Sequence, residues 1–466
     1  MILEKDIGNN RSIMKTALRY ENSFDLINRD IVIKNRQATL YFIDGLIKDE
    51  VMEKIMEFFY GVDKEELMAT PKIFTENCVP YVEVDALGDL DQITMQVLSG
   101  VCAVVIDGFD KAIMLDTRTY PQRETTEPEK DKVMRGSKDG FVETMVSNIA
   151  LIRRRIRDSE LCVKAYVVGT VSKTDVAICY MDNKVDHKLL ERITRQIKNV
   201  KVDSLTMNQQ SLLEAIYHHH WYNPFPKVKY TERPDTTASA LLDGNIVIMV
   251  DNSPSALILP TSIFDIVEEA DDYYFPPITG TYIRFTRYLV TLSTLIITPI
   301  WLLALQNPQL VPDFFKFVLT TEPVNIPIFW QLIILEIAID GLRLASMKTP
   351  SSLSASLSII GAIALSDFAV KVGWFSTESM LYMAFVAIAN YSQPSYELGY
   401  SLKFLRIMLL ILTWLFNVWG FIIGVILILV LLVTNKTVSG KSYLYPLIPF
   451  NGKKLFNKIF RRRIIN

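Results

Sequence analysis

Charged side chains at helical spacing inside an apolar run are the residues of this sequence best suited to chemistry. Glu336, Asp340 and Arg343 follow one another at i, i+4 and i+7 within Ile326–Leu344, so a helix places all three on one face. An ionisable group at the centre of a bilayer is costly unless it is paired or hydrated, and such groups usually face a bundle interior or an aqueous path. The three residues are therefore candidates for ion conduction or gating.

The same charges also have a structural interpretation, in which salt bridges hold the helices together. Asp340 can pair with Arg343, and Asp367 can pair with Lys371, which repeats the i, i+4 spacing in the next apolar segment. Conduction or gating is favoured for Glu336, because it has no cation one turn away. For Asp367 and Lys371, which we keep as ion-path candidates, the structural pair is favoured.

These charges belong to a membrane half that begins near Thr286. A run of roughly 18 or more apolar residues can cross a hydrocarbon core about 30 Å thick. The apolar stretches are Tyr288–Leu305, Ile326–Leu344, Ala355–Val372, Met380–Ala389 and Leu402–Thr434. Four to six crossings are expected, and the sequence does not choose between these numbers.

Two of the stretches have an unusual length. Met380–Ala389 is too short to cross alone and ends in the polar, proline-containing segment Asn390–Glu397, which predicts either a re-entrant loop or an ordinary interfacial loop. Glu397 in that segment is a further ion-path candidate. Leu402–Thr434 is too long for one untilted span, and Asn417–Gly420 is a possible break into two short crossings.

The first 285 residues have the composition of a water-soluble region and contain an internal duplication. Leu98–Asp107 returns without a gap as Leu242–Asp251, and Ala38–Asp44 resembles Val176–Asp182. Ala38–Asp44 and Val176–Asp182 each precede an amphipathic helix. Each half is therefore predicted to run as strand, helix, helix and β-hairpin.

The hairpin segments contain two residue types with a clear structural role. Gly100 and Gly244 are expected to begin the hairpins with a positive φ. Asp107 and Asp251 end apolar strands, where Asp commonly caps turns, so a structural role is favoured over catalysis for this pair.

The expected fold class is α+β followed by α, with a soluble region of two related α/β subdomains and a multi-span helical membrane domain. The subdomains are placed at 1–120 and 137–280, with a linker at 121–136. The membrane domain is placed at 281–435, and a basic cytoplasmic tail at 436–466.

Two polar motifs, RGSKDG (135–140) and ERPD (232–235), are predicted to be structural or coupling elements. The RGSKDG segment lacks the GxxxxGK[ST] pattern of a phosphate loop and is expected to turn sharply before a helix at Phe141–Arg157. The basic cluster Arg153–Arg155, with Arg157, is expected to face anionic lipid or a neighbouring subunit, or to form a solvated helix face. The motif residues are Arg135, Gly136, Asp139, Gly140, Glu232, Arg233 and Asp235.

The formal net charge of −2 hides an asymmetry along the chain. No acidic residue follows Glu397, whereas many basic residues do: Lys403, Arg406, Lys436, Lys441, Lys453, Lys454, Lys458 and Arg461–Arg463. This pattern favours the cytoplasmic face of a membrane and anionic headgroups over nucleic acid. The N-terminus does not resemble a signal peptide. We therefore expect Lys15 and Arg461 on the same, cytoplasmic side.

Catalytic, metal and cofactor sites are not expected. The four cysteines lack ligand or CxxC spacing, and the run His218–His220 is more typical of a polar turn than of a metal site. The sequence offers no nucleophile elbow, HExxH motif or paired Cys and His, so an enzyme is disfavoured.

Several longer segments carry a family resemblance. VMRGSKDGFVE (133–143), NPFPKVKYTERPD (223–235) and LLDGNIVIMVDNSPSALILPTSIF (241–264) resemble the A-subunit family of bacterial spore germinant receptors, the GerA type, and the resemblance covers nearly the whole chain. DTRTYPQR (116–123), MKTPSSLSAS (347–356), NYSQPSYELGYSLK (390–403) and YLYPLIPFN (443–451) are similar to one branch of that family.

The resemblance implies a multi-pass protein of the spore inner membrane, with its N-terminal domain facing the core. It implies a ring-shaped homo-oligomer that conducts ions in germination, alongside other spore membrane proteins or a small membrane subunit. The alternatives are an A subunit of a nutrient receptor, which works with B- and C-type subunits, and a non-conducting membrane scaffold.

Overall fold

The chain divides into two compact units in the computed structural model, which describes residues 2–64, 68–79, 83–119, 132–217, 222–320, 325–348 and 369–461. The first unit comprises Met1–His219 and Tyr230–Pro260, and the second comprises His220–Lys229 and Thr261–Asn466. The domain boundaries expected from the sequence stay a prediction.

The first unit contains two repeats with the same order of elements. The first repeat has α1 (Ile7–Leu18), a 3₁₀ turn (Tyr20–Asn22), β1 (Leu26–Ile33), β2 (Arg36–Ile43), α2 (Asp49–Tyr60), α3 (Pro71–Cys78), β3 (Val84–Leu87), α4 (Leu90–Leu98), β4 (Cys102–Ile106) and β5 (Ala112–Leu115). The second has α5 (Met145–Arg155), β6 (Leu161–Val168), β7 (Thr174–Met181), α6 (His187–Lys198), α7 (Asn208–Ile216), β8 (Lys229–Thr231), α8 (Pro234–Leu242), β9 (Ile246–Val250) and β10 (Ala256–Leu259).

Each repeat forms one five-stranded sheet, and the two sheets have equivalent topologies. The strand orders are β1-β2-β4-β5-β3 and β6-β7-β9-β10-β8. The register also repeats, since Ala38 of β2 faces Ile106 of β4 and Val176 of β7 faces Val250 of β9. The expectation of two related α/β subdomains is confirmed.

An aspartate from the central hairpin binds the first residue of the first helix in each repeat. The carboxylate of Asp107 accepts a hydrogen bond from the backbone N–H of Ile7 at 3.2 Å, and that of Asp251 accepts one from Met145 at 3.0 Å. A helix N-terminus leaves backbone donors without intrahelical partners, so each aspartate satisfies one of them. The aspartates therefore have a structural role, as predicted, but they bind the start of a helix where the sequence predicted that they cap a turn.

The predicted order of elements within each repeat is incomplete. Helix α5 corresponds to the helix predicted at Phe141–Arg157, whereas α1 and the first strand of each repeat are not part of the prediction. The short strands β3 and β8 are also absent from it, because they have only four and three residues, and β1 is exposed at four of its eight positions, as is typical of an edge strand. The hairpin glycines are as predicted, with φ of 101° at Gly100 and 90° at Gly244.

Arg153 is fully buried, so the prediction that it faces anionic lipid, a neighbouring subunit or solvent is wrong. Its Nε and Nη2 lie 2.7 and 3.0 Å from the carboxylate of Asp25, which directly precedes β1. Because Arg153 belongs to α5, this buried ion pair links the second repeat to the first.

The second unit is helical. Its elements are α9 (Ile263–Val267), α10 (Asp271–Tyr274), α11 (Pro277–Gln306), 3₁₀ turns (Pro308–Leu310 and Asp313–Val318), α12 (Ile328–Lys348), α13 (Ala369–Lys371), α14 (Thr377–Tyr391), α15 (Tyr396–Thr434) and α16 (Gly452–Ile459). Among the described residues, α11 and α15 are the helices long and apolar enough to cross a membrane.

Helix α15 reverses direction at Asn417, where φ is 54° and ψ is −134°. A Cβ at Gly420 would lie 1.8 Å from the carbonyl oxygen of Leu412, and one at Gly424 would lie 2.4 Å from Cδ1 of Leu409. In a continuous helix these pairs would be about 12 and 22 Å apart along the axis. The two arms therefore pack as a hairpin, at the break predicted from the sequence, and the glycines permit their close approach.

Candidate functional site

Glu336 lies at the centre of a buried charge cluster formed by α12 and α15. Its Oε1 lies 2.7 Å from Arg406 Nε and 2.5 Å from Nη2, and its Oε2 lies 3.3 Å from Lys403 Nζ. The side chains of Glu336, Lys403 and Arg406 are 4%, 6% and 1% exposed. One carboxylate is therefore held between two cations of another helix.

Asp340, one turn further along α12, completes the cluster. Its carboxylate pairs with Lys403, whose ammonium group also donates to the backbone carbonyl of Glu336 at 3.1 Å. Arg406 Nη1 donates to the carbonyl of Thr294 on α11 at 2.8 Å. Two carboxylates and two cations have no net formal charge, and Asp340, 32% exposed, is the most accessible of the four.

Arg343 contacts aromatic rings. Its guanidinium carbon lies 5.5, 4.7 and 5.2 Å from the ring centroids of Tyr391, Tyr396 and Tyr400, which belong to α14 and α15. The faces of aromatic rings attract cations. Instead of the pairing of Asp340 with Arg343 that one helix allowed, the structure has Asp340 paired with Lys403 and Arg343 enclosed by tyrosines.

Polar and aromatic contacts position α12 against its neighbours. The amide oxygen of Gln331 accepts hydrogen bonds from the backbone N–H of Ser376 at 2.9 Å and from the hydroxyl of Ser379 at 2.8 Å. The rings of Phe329 and Trp414 stack with centroids 4.5 Å apart. The first contact ties α12 to α14, and the second ties it to α15.

The expectation that Lys403 and Arg406 belong with basic residues facing anionic headgroups is wrong, because both are buried against Glu336. A signal for this pairing is present in the sequence. Glu336 and Asp340 lie one turn apart in one apolar run, and Lys403 and Arg406 lie one turn apart in another. Matching the charges of the two runs would have identified the partners.

The remaining ion-path candidates have other surroundings. Glu397 is an exposed residue in the first turn of α15, where the helix dipole favours a carboxylate. Lys371 is exposed at the end of α13. Asp367 lies outside the described residues, as does His218–His220, so their interpretation stays a prediction.

The two polar motifs meet within the first unit. Arg233, 2% exposed, pairs with Asp235 at 2.6 Å and donates to the carbonyl of Ser137 at 2.8 Å. The backbone N–H of Phe141 donates to the carbonyl of Glu232 at 2.8 Å. The motifs are therefore joined by hydrogen bonds.

Asp139, in the turn between these contacts, is bound to α5. Its carboxylate lies 2.6 Å from Arg155 Nη2. Burial acts to raise the pKa of Asp139, but hydrogen bonds from Arg155 and Ser137 lower it below its usual value. Gly136 has φ of 116° and Gly140 is buried, while Arg135 is exposed.

Comparison with known proteins identifies related chains. Residues 13–466 match the model of the Bacillus/Clostridium GerA spore germination protein family. Stage V sporulation protein AF of Bacillus subtilis (strain 168) is 38% identical over 97% of this chain and 92% of the relative. Spore germination protein A1 of the same organism is 30% identical, covering 95% of this chain and 92% of the relative. The N-terminal domain of the A subunit of the Bacillus megaterium spore germinant receptor GerK3 is 24% identical, with a TM-score of 0.41, covering 55% of this chain and 96% of that domain.

Proposed function

Because this chain belongs to the GerA family of spore germination proteins, we propose that it forms a homo-oligomeric membrane assembly that conducts ions, with the α12–α15 charge cluster as its gate. The observation that carries the proposal is the neutral set of two carboxylates and two cations in a helical unit whose α11 and α15 are long and apolar enough to span a membrane. Such groups in membrane segments commonly mark ion pathways.

The pairing of the carboxylates with the cations defines the closed state of the proposed gate. Moving α12 away from α15 would separate Glu336 from Arg406 and Lys403, and separated charges are strongly unfavourable in hydrocarbon unless water reaches them. Opening of the cluster is therefore coupled to its hydration. A path that appears only when the charges separate has the property required of a gate.

Asp340 is the carboxylate placed to face such a path, since 32% of its side chain is exposed against 4% for Glu336. Rings of carboxylates are a common way to select cations. In a homo-oligomer, one Asp340 from each subunit would supply such a ring, while Glu336 holds the two cations inside the subunit.

Flux measurements on reconstituted protein test this function. Asp340→Asn and Glu336→Gln each change the cluster charge from zero to +1, so both should lower cation flux in proteoliposomes. Asp313→Asn is the matched control, because the Asp313 side chain is 92% exposed. If both cluster variants conduct like the control while assembling normally, the cluster is not the gate.

The same flux measurement distinguishes two alternative functions, a receptor A subunit and a non-conducting scaffold. This chain is an A subunit that requires B- and C-type subunits if flux appears only when those subunits are added. Absence of flux in either preparation would favour a non-conducting scaffold. None of these roles requires catalysis.

The same proposal places the protein as a multi-pass component of the spore inner membrane, with its N-terminal domain on the core side. Labelling of Lys15→Cys and Lys441→Cys in intact vesicles tests the orientation. The native cysteines are buried and should not compete for the reagent. Both positions should react from the same side, and reaction from opposite sides would require an odd number of crossings.

A further inference from the structure

Helix α16 carries exposed aromatic side chains next to basic ones. Phe456, and Phe460 directly after the helix, are 45% and 44% exposed, and their rings stack with centroids 4.6 Å apart. Lys453 and Lys454 are exposed on the same helix. The proposed ion path uses none of these residues.

The surrounding tail has a one-sided charge. Residues 436–466 contain eight Lys and Arg residues and no Asp or Glu. Phe450, immediately before α16, is 75% exposed. A basic segment that also displays aromatic rings has the composition of helices that lie in the interface of an anionic membrane.

The depth of α16 is set by its contact with α11. Arg284 Nη1 donates to the backbone carbonyls of Asn457 at 3.1 Å and Lys458 at 3.0 Å. Helix α11 has 30 residues and is therefore about 45 Å long, compared with about 30 Å for the hydrocarbon core. Arg284 precedes the apolar stretch that begins at Tyr288, so in a membrane-spanning α11 the contact with α16 would lie at the depth of the headgroups.

Basic side chains at and after the C-terminal end of α16 bind it to other parts of the second unit. Lys458 Nζ lies 2.6 Å from Asp265 and 2.6 Å from Glu268. Burial acts to raise the pKa of both carboxyls, but Lys458 lowers each below its usual value, so the bridge stays charged. Arg461 Nη2 donates to the carbonyl of Tyr273 at 2.6 Å. These contacts fix the helix while its phenylalanines remain exposed.

We propose that α16 is an anchor for anionic lipid, in which Phe456 and Phe460 insert at the headgroup boundary and Lys453 and Lys454 neutralise lipid phosphates. A bilayer fits this surface better than a second copy of the tail, because two tails with only positive charge repel each other. The surface is also continuous with α11, which is long and apolar enough to span the membrane. The proposal does not depend on ion conduction.

Depth-dependent quenching in nanodiscs tests the anchor. Phe456→Cys in the full-length chain is labelled with an environment-sensitive NBD fluorophore, and its quenching by doxyl-labelled lipid is compared in phosphatidylglycerol and phosphatidylcholine discs. The control label is at Lys188→Cys, an exposed position of α6. Quenching at position 456 in phosphatidylglycerol should exceed that of the control by about twofold or more. Phe450→Cys provides a second site if the first variant folds poorly.

Charge reversal tests the role of the lysines. Lys453→Glu with Lys454→Glu leaves Lys458 in place and should reduce the quenching at position 456 in phosphatidylglycerol discs but not in phosphatidylcholine discs. Quenching at position 456 that is no stronger than at the control position would overturn the proposal. A blue-shifted label without quenching would also overturn it, because it would mean that protein covers the label. The third contradicting outcome is equal quenching in both lipids with no effect of charge reversal.

Discussion

Removal of Arg406 is the perturbation whose consequence the structure defines most closely. Arg406→Met deletes the Nε and Nη2 contacts to Glu336 at 2.7 and 2.5 Å, and the hydrogen bond to Thr294. Glu336 then retains Lys403, at 3.3 Å, in a site where its side chain is 4% exposed. The unfolding free energy should fall because a buried carboxylate loses its closer partner.

The size of the effect follows from burial. Removing one partner of a buried ion pair costs about 3–5 kcal/mol, since the remaining charge is left uncompensated. Lys403 still compensates part of the charge of Glu336, so we expect the lower end, about 3 kcal/mol. Glu336→Met should cost a similar amount by leaving Arg406 buried. The double variant should cost much less than the sum, because Lys403 and Asp340 remain as a neutral pair.

The assay is a double-mutant cycle on the free energy of unfolding, measured by SDS titration in mixed micelles. An exposed pair provides the control, since the side chains of Lys316 and Asp313 are 60% and 92% exposed at a contact of 2.6 Å. Their cycle should show no measurable coupling. If the costs of Glu336→Met and Arg406→Met simply add to within about 0.5 kcal/mol, the cluster is not a stabilising pair.

Three further predictions concern other parts of the chain. Burial raises the pKa of Cys102 to about 12, so its thiolate at pH 8 should be about a thousandfold scarcer than that of an ordinary thiol. A thiol reagent should therefore modify Cys102 only after denaturation. Rapid labelling of the folded protein would contradict this. Gly420→Val should abolish the α15 hairpin and the yield of folded protein. Gly341→Ala should be tolerated, because no heavy atom lies within 4 Å of the added Cβ. Similar yields of the two variants by size-exclusion chromatography would argue against close packing of the two α15 arms. Arg153→Met should destabilise the first unit by about 3–5 kcal/mol in chemical denaturation, and additional replacement of Asp25 by Asn should recover part of this loss.

Much of the first unit could be predicted because its signals are local. The alternation of apolar residues, the turn residues and the glycines at 100 and 244 recur at matching positions, so the duplication is visible without coordinates. Helix α1 is not predicted from the sequence, and the backbone N–H of its first residue is bound by Asp107, 100 residues away. Such contacts leave no pattern within a short window.

The sequence by itself determined the segmentation of the second unit. Four apolar runs indicated α11, α12, α14 and α15, and the polar interruption near Asn417 indicated the reversal of α15, because hydrocarbon length and backbone hydrogen bonding restrict what an apolar run can do. The fifth run, Ala355–Val372, lies mostly outside the described residues and stays a prediction. The same local spacing placed Glu336 and Asp340 on one face of α12. It therefore identified Glu336 and Asp340 as charges within the apolar half, but it assigned Lys403 and Arg406 to the membrane surface.

Only the tertiary structure decided what those charges contact. Glu336 is bound by cations 67 and 70 positions away, and Asp340 by one 63 positions away, on a helix brought alongside α12 by packing. Spacing within one helix can propose an Asp340–Arg343 pair but carries no information about a neighbouring helix. Buried charges take the partner that best offsets their lost hydration, and that choice is available only once the helices have packed.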